Sequence, residues 1–213
     1  MIIRNGWHFP DMDEHFGRYQ ETYPESSYQQ KAIDAAYSYV KNFNDVIDVG
    51  ANVGLHTVRF SKKFNNVHSF EPVTSNYECL EKNTLNFKNV HLYKLGLGDN
   101  NETNEISIPS EHNNCGAYSL VDFNQESNLI KESIEIKKLD DFNLNADFIK
   151  VDVQGFEDKF LLGSLDTIKR CQPVIMLEVE YKKAFIRLNS ILEPLNYHCV
   201  ESVKKDKIWI PRG

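Results

Sequence analysis

Apolar positions follow two rhythms along this chain, one of period 3.6 and one of short unbroken runs. Ile33, Ala36, Tyr37 and Val40 fall at i, i+3, i+4 and i+7, which predicts a helix over about 28–42. Val46-Ile47-Asp48-Val49 is a short apolar run that predicts a buried strand, and a Gly-rich turn leads from it into a helix over about 54–63. Val67-His68-Ser69-Phe70 predicts a second strand, stopped at Glu71-Pro72. Tyr77, Leu80, Thr84 and Phe87 give the next helix its buried face, and residues 90–95 form a third strand ending in Gly96-Leu97-Gly98-Asp99. Residues 148–153 and 174–179 are the fourth and fifth strands, each followed by a helix, the first from about Glu157 and the second carrying Phe185, Leu188, Leu192 and Leu195. Two closing strands sit near 197–203 and 207–210. Strands alternating with helices imply βαβ units, a parallel sheet and a three-layer α/β sandwich.

Two stretches fall outside the alternation. Residues 1–27 hold aromatics without a clean period and read as an irregular N-terminal arm with apolar anchors. Residues 100–132 are rich in Asn and Ser, with short β-like pieces at 105–108 and 118–121, and read as an insertion. Residues 133–139 then alternate as a half-exposed strand. No linker or repeat interrupts the rest, so a single domain over 1–213 is expected.

Charge narrows the partners. Lys and Arg number 24 against 31 Asp and Glu, a net charge of −7, and the isoelectric point is near 5.5. An acidic surface disfavours non-specific nucleic-acid binding. The longest apolar run, Val174-Ile175-Met176-Leu177, is far short of the roughly 20 residues of a membrane span, so no membrane partner is expected. The start carries no secretory core, and Cys79, Cys115, Cys171 and Cys199 are widely and irregularly spaced, so reduced thiols and a cytoplasmic location are expected.

The chemistry concentrates in Val46-Ile47-Asp48-Val49-Gly50-Ala51-Asn52-Val53-Gly54. A Gly-rich turn between strand and helix lets a ligand approach the backbone, because glycine has no Cβ and adopts positive φ. The dinucleotide fingerprint Gly-x-Gly-x-x-Gly is not met, and neither is the phosphate-cradling Gly-x-x-x-x-Gly-Lys-Ser/Thr. What stands is Asp-x-Gly-x-Asn-x-Gly with Glu71 ending the next strand, 21 residues after Gly50. An acid at that place accepts the ribose hydroxyls of an adenosine ligand.

With these residues the chain resembles the class I S-adenosylmethionine-dependent methyltransferases, and among them the FkbM-type family. Three further stretches carry the likeness: Phe70-Glu71-Pro72, Gly96-Leu97-Gly98-Asp99, and Ile149-Lys150-Val151-Asp152-Val153-Gln154-Gly155-Phe156-Glu157. The resemblance implies a Rossmann-like sandwich with a mostly parallel seven-stranded sheet and a C-terminal antiparallel strand. It also implies S-adenosyl-L-methionine as cofactor, with Asp48, Gly50, Ala51, Asn52 and Gly54 around its methionine part. Glu71 would hold the ribose, Leu97, Gly98 and Asp99 would wall the adenine, and Asp152 would face the transferable methyl. Gln154 stands where the family often has Glu, so that side chain is given no acid or metal role. Asp152 and Glu178 are near enough in the pattern to suggest a divalent cation, but no metal is expected.

Methyl transfer is an in-line displacement, in which positioning supplies most of the acceleration and a hydroxyl acceptor must lose its proton. The chain lacks the Asn/Asp-Pro-Pro-Tyr/Phe run of nucleic-acid amino-methylating enzymes after its fourth strand, and has no Pro-Cys pair for attack on a pyrimidine. The expected reaction is therefore O-methylation of a sugar or other small molecule. Asp152 is the first candidate for the base, and the histidines His8, His15 and His112 of the arm and insertion are the second. The alternatives are a non-catalytic adenosine-ligand module and a nucleotide-sugar or NAD enzyme on the same fold. The arm and the insertion are expected to lie over the carboxyl ends of the strands and shape the acceptor pocket.

Overall fold

The computed structural model describes residues 1–11, 13, 28–109 and 129–213. Its centre is a seven-stranded sheet made from β3 (Asp45–Val49), β4 (Asn66–Phe70), β5 (Val90–Tyr93), β9 (Phe148–Val151), β10 (Val174–Glu178), β11 (Tyr197–Val203) and β12 (Asp206–Pro211). The order across the sheet is β11-β12-β10-β9-β3-β4-β5. β3, β4, β5, β9 and β10 pair in parallel, and β12 runs antiparallel to both of its neighbours. The seven strands and the antiparallel C-terminal strand expected from the resemblance are both present.

Alternation along the strands builds the two apolar layers. Ile47, Val49, Ile149, Val151, Ile175 and Leu177 face one side. There they meet Phe160 and Leu161 of α4 (Glu157–Leu162), Ile168 of α5 (Leu165–Cys171) and Leu188 and Leu192 of α6 (Lys182–Leu192). Val46, Val67, Phe148, Val174 and Met176 face the other side, against Ala32, Ile33 and Ala36 of α1 (Gln30–Tyr37) and Phe60 of α2 (Leu55–Ser61). A period of two on the strands against 3.6 on the helices is what makes both layers possible. The single helix expected from about Glu157 is two short ones, broken at Gly163-Ser164, where the Ser164 hydroxyl donates back to the Phe160 carbonyl at 2.9 Å.

The arm begins as a hairpin rather than an irregular segment. β1 (Ile2–Arg4) pairs antiparallel with β2 (Trp7–Phe9) around Asn5-Gly6, both at positive φ (49° and 79°). That is the turn an Asn-Gly pair favours, and it is the signal that reading by apolar period passed over. Phe9 packs with Val53, Leu55 and Cys79, which fastens the hairpin to the Gly-rich turn and to α3 (Thr74–Thr84). In the insertion, β7 (Glu102–Pro109) pairs antiparallel with β8 (Leu129–Lys137), and β6 (Gly96–Leu97) joins β8 to complete a second, three-stranded sheet. The β-like piece expected at 118–121 lies outside the described residues. The cysteines Cys79, Cys171 and Cys199 are free thiols, and among the described residues no helix is long and apolar enough to cross a membrane.

Candidate functional site

β3 comes first in chain order among the strands of this sheet, with β4 on one side and β9 on the other, so the chain order reverses between β3 and β9. In open α/β sheets a crevice opens at such a reversal, beyond the carboxyl ends of the strands. A cavity of about 270 Å³ lies there, lined from the strand ends by Val49, Gly50, Ala51, Asn52, Glu71, Asp152, Gln154 and Glu178.

The turn after β3 is shaped by close packing. The N–H groups of Gly50 and Ala51 both donate to the Phe70 carbonyl at 3.0 Å, and the Asp152 N–H donates to the Val49 carbonyl at 3.0 Å. Gly50 has φ +76°, and a Cβ on it would run into the Asp152 carbonyl oxygen. Only glycine lets the first turn and the end of β9 meet at this distance. Asn52 also takes positive φ, and Gly54 stands at the N-cap of α2.

Glu71 follows β4 and turns back onto this loop. Its carboxylate accepts the Asn52 N–H at 2.8 Å through Oε2 and the Val73 N–H at 2.9 Å through Oε1. The residue is 5% exposed. Burial pushes its carboxyl up to about 7, against the pull of the two backbone bonds and of the Asn76 side chain. A carboxylate offers about four lone-pair sites, and these three donors leave one for a ligand hydroxyl. The cavity wall beside it is apolar: Val73, Leu97 at the end of β6, Ile106 of β7 and Ile134 and Ile136 of β8. Thr74, at the start of α3, donates its N–H to Glu132 of β8 at 2.9 Å, which holds that wall against the helix.

Other residues expected at the cofactor stand behind the lining. Asp48 is fully buried and is not a lining residue, because it shares the α2 face of the sheet with Val46. Its Oδ2 accepts the Thr57 hydroxyl at 2.7 Å, and its Oδ1 lies 4.0 Å from the Lys150 ammonium. Burial raises its pKa, while Lys150 and Thr57 act the other way. Gly54 lies against Leu80, and Gly98 against Ile136 and Phe156. Asp99 accepts the Lys159 ammonium at 2.8 Å. None of these three lines the cavity, so of the expected adenine wall only Leu97 does.

The other end of the cavity is charged. Lys150 is buried, 3.5 Å from Asp152 Oδ2. Burial alone would lower its pKa, but the charges of Asp152, Asp48, Asp206 and Glu178 carry it upward, so it stays an ammonium. Gln154 donates from Nε2 to Asp152 Oδ1 at 2.8 Å and to Glu178 Oε2 at 3.1 Å, bridging the two acids. Burial would raise Asp152, but Lys150 and the hydrogen bonds from Glu178 and Gln154 take it below its usual range. Burial and then the Asp152 charge push Glu178 up to about 8. The pair is thus driven apart, Asp152 toward its ionised form and Glu178 toward its protonated one. Among the described residues no group of three or more His, Cys, Asp or Glu side chains is arranged to hold a metal ion.

The histidines expected as a second source of a base divide. His8 is engaged by Asn83, which accepts the His8 N–H at 2.8 Å and donates to the His8 carbonyl at 2.9 Å, and it is not a lining residue. His15 and His112 lie outside the described residues. His56, in the first turn of α2, does line the cavity. It is bonded through Nε2 to Gln29 at 2.8 Å, and burial holds its pKa well below the usual value, so it stays neutral. Tyr28, the last residue of the arm's approach, lines the cavity too, with its ring centroid 5.6 Å from that of His56.

A family model for the methyltransferase FkbM domain matches residues 48–199, which run from the Gly-rich turn into β11. The chain belongs to the FkbM methyltransferase family. Among solved structures this chain is similar to methyltransferase FkbM from Methylobacillus flagellatus KT, with TM-score 0.52 and 19% identity. That match covers 78% of this chain but 43% of the other, so the chain spans less than half of its relative's length. It is also similar to a ribosomal protein L11 methylase from Lactobacillus delbrueckii subsp. bulgaricus, with TM-score 0.56 and 12% identity over 86% of this chain and 77% of that one. A third likeness is to Aeropyrum pernix fibrillarin in complex with natively bound S-adenosyl-L-methionine, with TM-score 0.51 and 9% identity over 80% of this chain and 66% of that one. No curated protein matches the chain. At these identities the structural likeness carries the fold, and the family match carries the class of activity.

Proposed function

We propose that the chain is an S-adenosylmethionine-dependent O-methyltransferase acting on a hydroxyl of a sugar or other small molecule. The observation that carries this reading is Glu71, a buried carboxylate with one lone-pair site left over, facing a glycine turn and an apolar wall in one cavity. Those groups fit an adenosine ligand. Glu71 holds the ribose, Leu97, Ile134 and Ile136 flank the base, and the Gly50–Asn52 backbone borders the methionine part. When bound, the cofactor supplies an electrophilic methyl on a sulfonium. The protein's part is to hold an acceptor oxygen in line with that methyl and to receive its proton.

The acceptor end is lined by Tyr28, Gln154, Glu178 and Lys205. An aromatic face with an amide and a carboxyl suits a polyhydroxylated molecule. The net charge of −7 argues against a polyanionic acceptor. The test is transfer of a labelled methyl group to a panel of sugars and glycans, with an RNA oligonucleotide alongside. Label on a carbohydrate hydroxyl is the expected result. Label on RNA alone, or no cofactor binding at all, would overturn the reading.

A further inference from the structure

Asp152 is poorly suited to receive a proton. Its Oδ2 faces the Lys150 ammonium at 3.5 Å and its Oδ1 accepts from Gln154 at 2.8 Å, so both oxygens are engaged by donors. A carboxylate stabilised in that way is a weak base. Glu178 ends β10 one strand away, lines the same cavity and keeps its side chain 20% exposed, with Oε1 3.9 Å from the outward-lying Lys205. Gln154 ties it to Asp152 through a single amide. The same cavity carries Gly50, whose backbone abuts Asp152, so the acid pair and the cofactor turn share one wall.

We propose that Glu178 is the proton acceptor of this site, and that the positive charge of the bound cofactor is what frees it to act. The proposal rests on S-adenosylmethionine being the cofactor. Without the cofactor, burial and the like charge of Asp152 favour the protonated form of Glu178. The groups facing it are Asp152 and Lys150 from β9, Asp206 from β12 and Lys205, whose ammonium is also paired with Glu180 at 2.8 Å. A cation added to the cavity favours the doubly ionised pair, so Glu178 gives its proton to solvent. Glu178 then takes the proton of the acceptor hydroxyl as the O–CH₃ bond forms and the S–CH₃ bond breaks, the electron pair of that bond remaining on sulfur. With a neutral thioether left behind, the protonated pair is again the favoured state. The acid pair thus tells substrate cofactor from product by charge.

The test needs no acceptor. Calorimetric titrations of S-adenosylmethionine and of S-adenosylhomocysteine, run at pH 7 in buffers of different ionisation enthalpy, give the protons released on binding. The wild-type protein should release about half a proton or more in excess with S-adenosylmethionine. Glu178→Gln should bind both ligands and lose that excess, which also subtracts whatever the ligands' own amino groups contribute. Asp152→Asn, which relieves Glu178 of the charge holding its proton, should lose it as well and serves if Glu178→Gln does not fold. Equal release by the two ligands in the wild type, or an excess that survives either substitution, would overturn the proposal. If neither ligand binds the wild type, the cofactor assignment itself falls.

Discussion

Replacing Glu71 by alanine probes the ribose site and the turn together, and the two effects separate by magnitude and by pH. A charge-assisted hydrogen bond to a ligand hydroxyl at this position is worth roughly 1.5–3 kcal/mol, or about 10- to 150-fold in affinity. The same substitution leaves the Asn52 and Val73 N–H groups without their acceptor in a site only 5% exposed, at a stability cost of roughly 1–3 kcal/mol each. Against that stands the burial of the charge itself. The Glu71 carboxyl is raised from 4.5 to about 7, a shift worth about 3 kcal/mol. For an acid raised on folding, this cost is absent below the unfolded value near 4.5 and fully present above about 7. The stability lost in Glu71→Ala should therefore be largest near pH 4.5 and shrink by about 3 kcal/mol by pH 7.5. Denaturant unfolding across that range measures the stability, and calorimetric titration with S-adenosylhomocysteine measures the affinity. Wild-type affinity in a folded Glu71→Ala protein would refute the ribose role. A stability gap that does not change with pH would refute the burial argument.

Lys150→Met removes the cation between Asp48 and Asp152 and should destabilise the protein by about 3–5 kcal/mol in denaturant unfolding at pH 7, because the buried Asp48 and the partly buried Asp152 lose their counter-charge. Gly50→Ala should cost about 2–5 kcal/mol by the same measurement, from positive φ plus the collision with the Asp152 carbonyl. Gly6→Ala, at similar φ but with open space around it, should cost about 1–2 kcal/mol and leave cofactor binding intact. His8→Ala should leave S-adenosylhomocysteine affinity unchanged in a calorimetric titration, since His8 lies off the cavity lining and its backbone bonds to Asn83 dock the hairpin.

Much of this architecture is legible in the chain, because it rests on period and on turn chemistry. The short apolar runs place all five parallel strands, and the spacing of Gly50, Asn52 and Gly54 marks the three positive-φ residues of the turn. Glu71 stands out because a carboxylate ends a strand directly before a proline. The parts that stay hidden depend on register between distant strands. Asp48 and Lys150 are direct partners across β3 and β9 and share a face with Ser69, which buries Asp48 away from the cavity. No local pattern announces that alignment. The β-like piece at 105–108 and the alternating strand at 133–139 are legible, but that Ile106, Ile134 and Ile136 wall the cavity is not, because it follows from the pairing of β7 with β8. Gln154, set aside because it stands in place of an acid, bridges Asp152 to Glu178 and is central to the charged end. Its place follows from a positive φ at a non-glycine residue, which the sequence does not mark.

A crystal structure with S-adenosylhomocysteine, set beside a titration with NAD, tests the central claim most directly. The expected result is density for the ligand in the cavity at the β3–β9 reversal, with the ribose on the Glu71 carboxylate, the adenine against Leu97, Ile134 and Ile136, and no NAD binding. Ligand density elsewhere on the molecule, or NAD binding where S-adenosylhomocysteine does not, would contradict it.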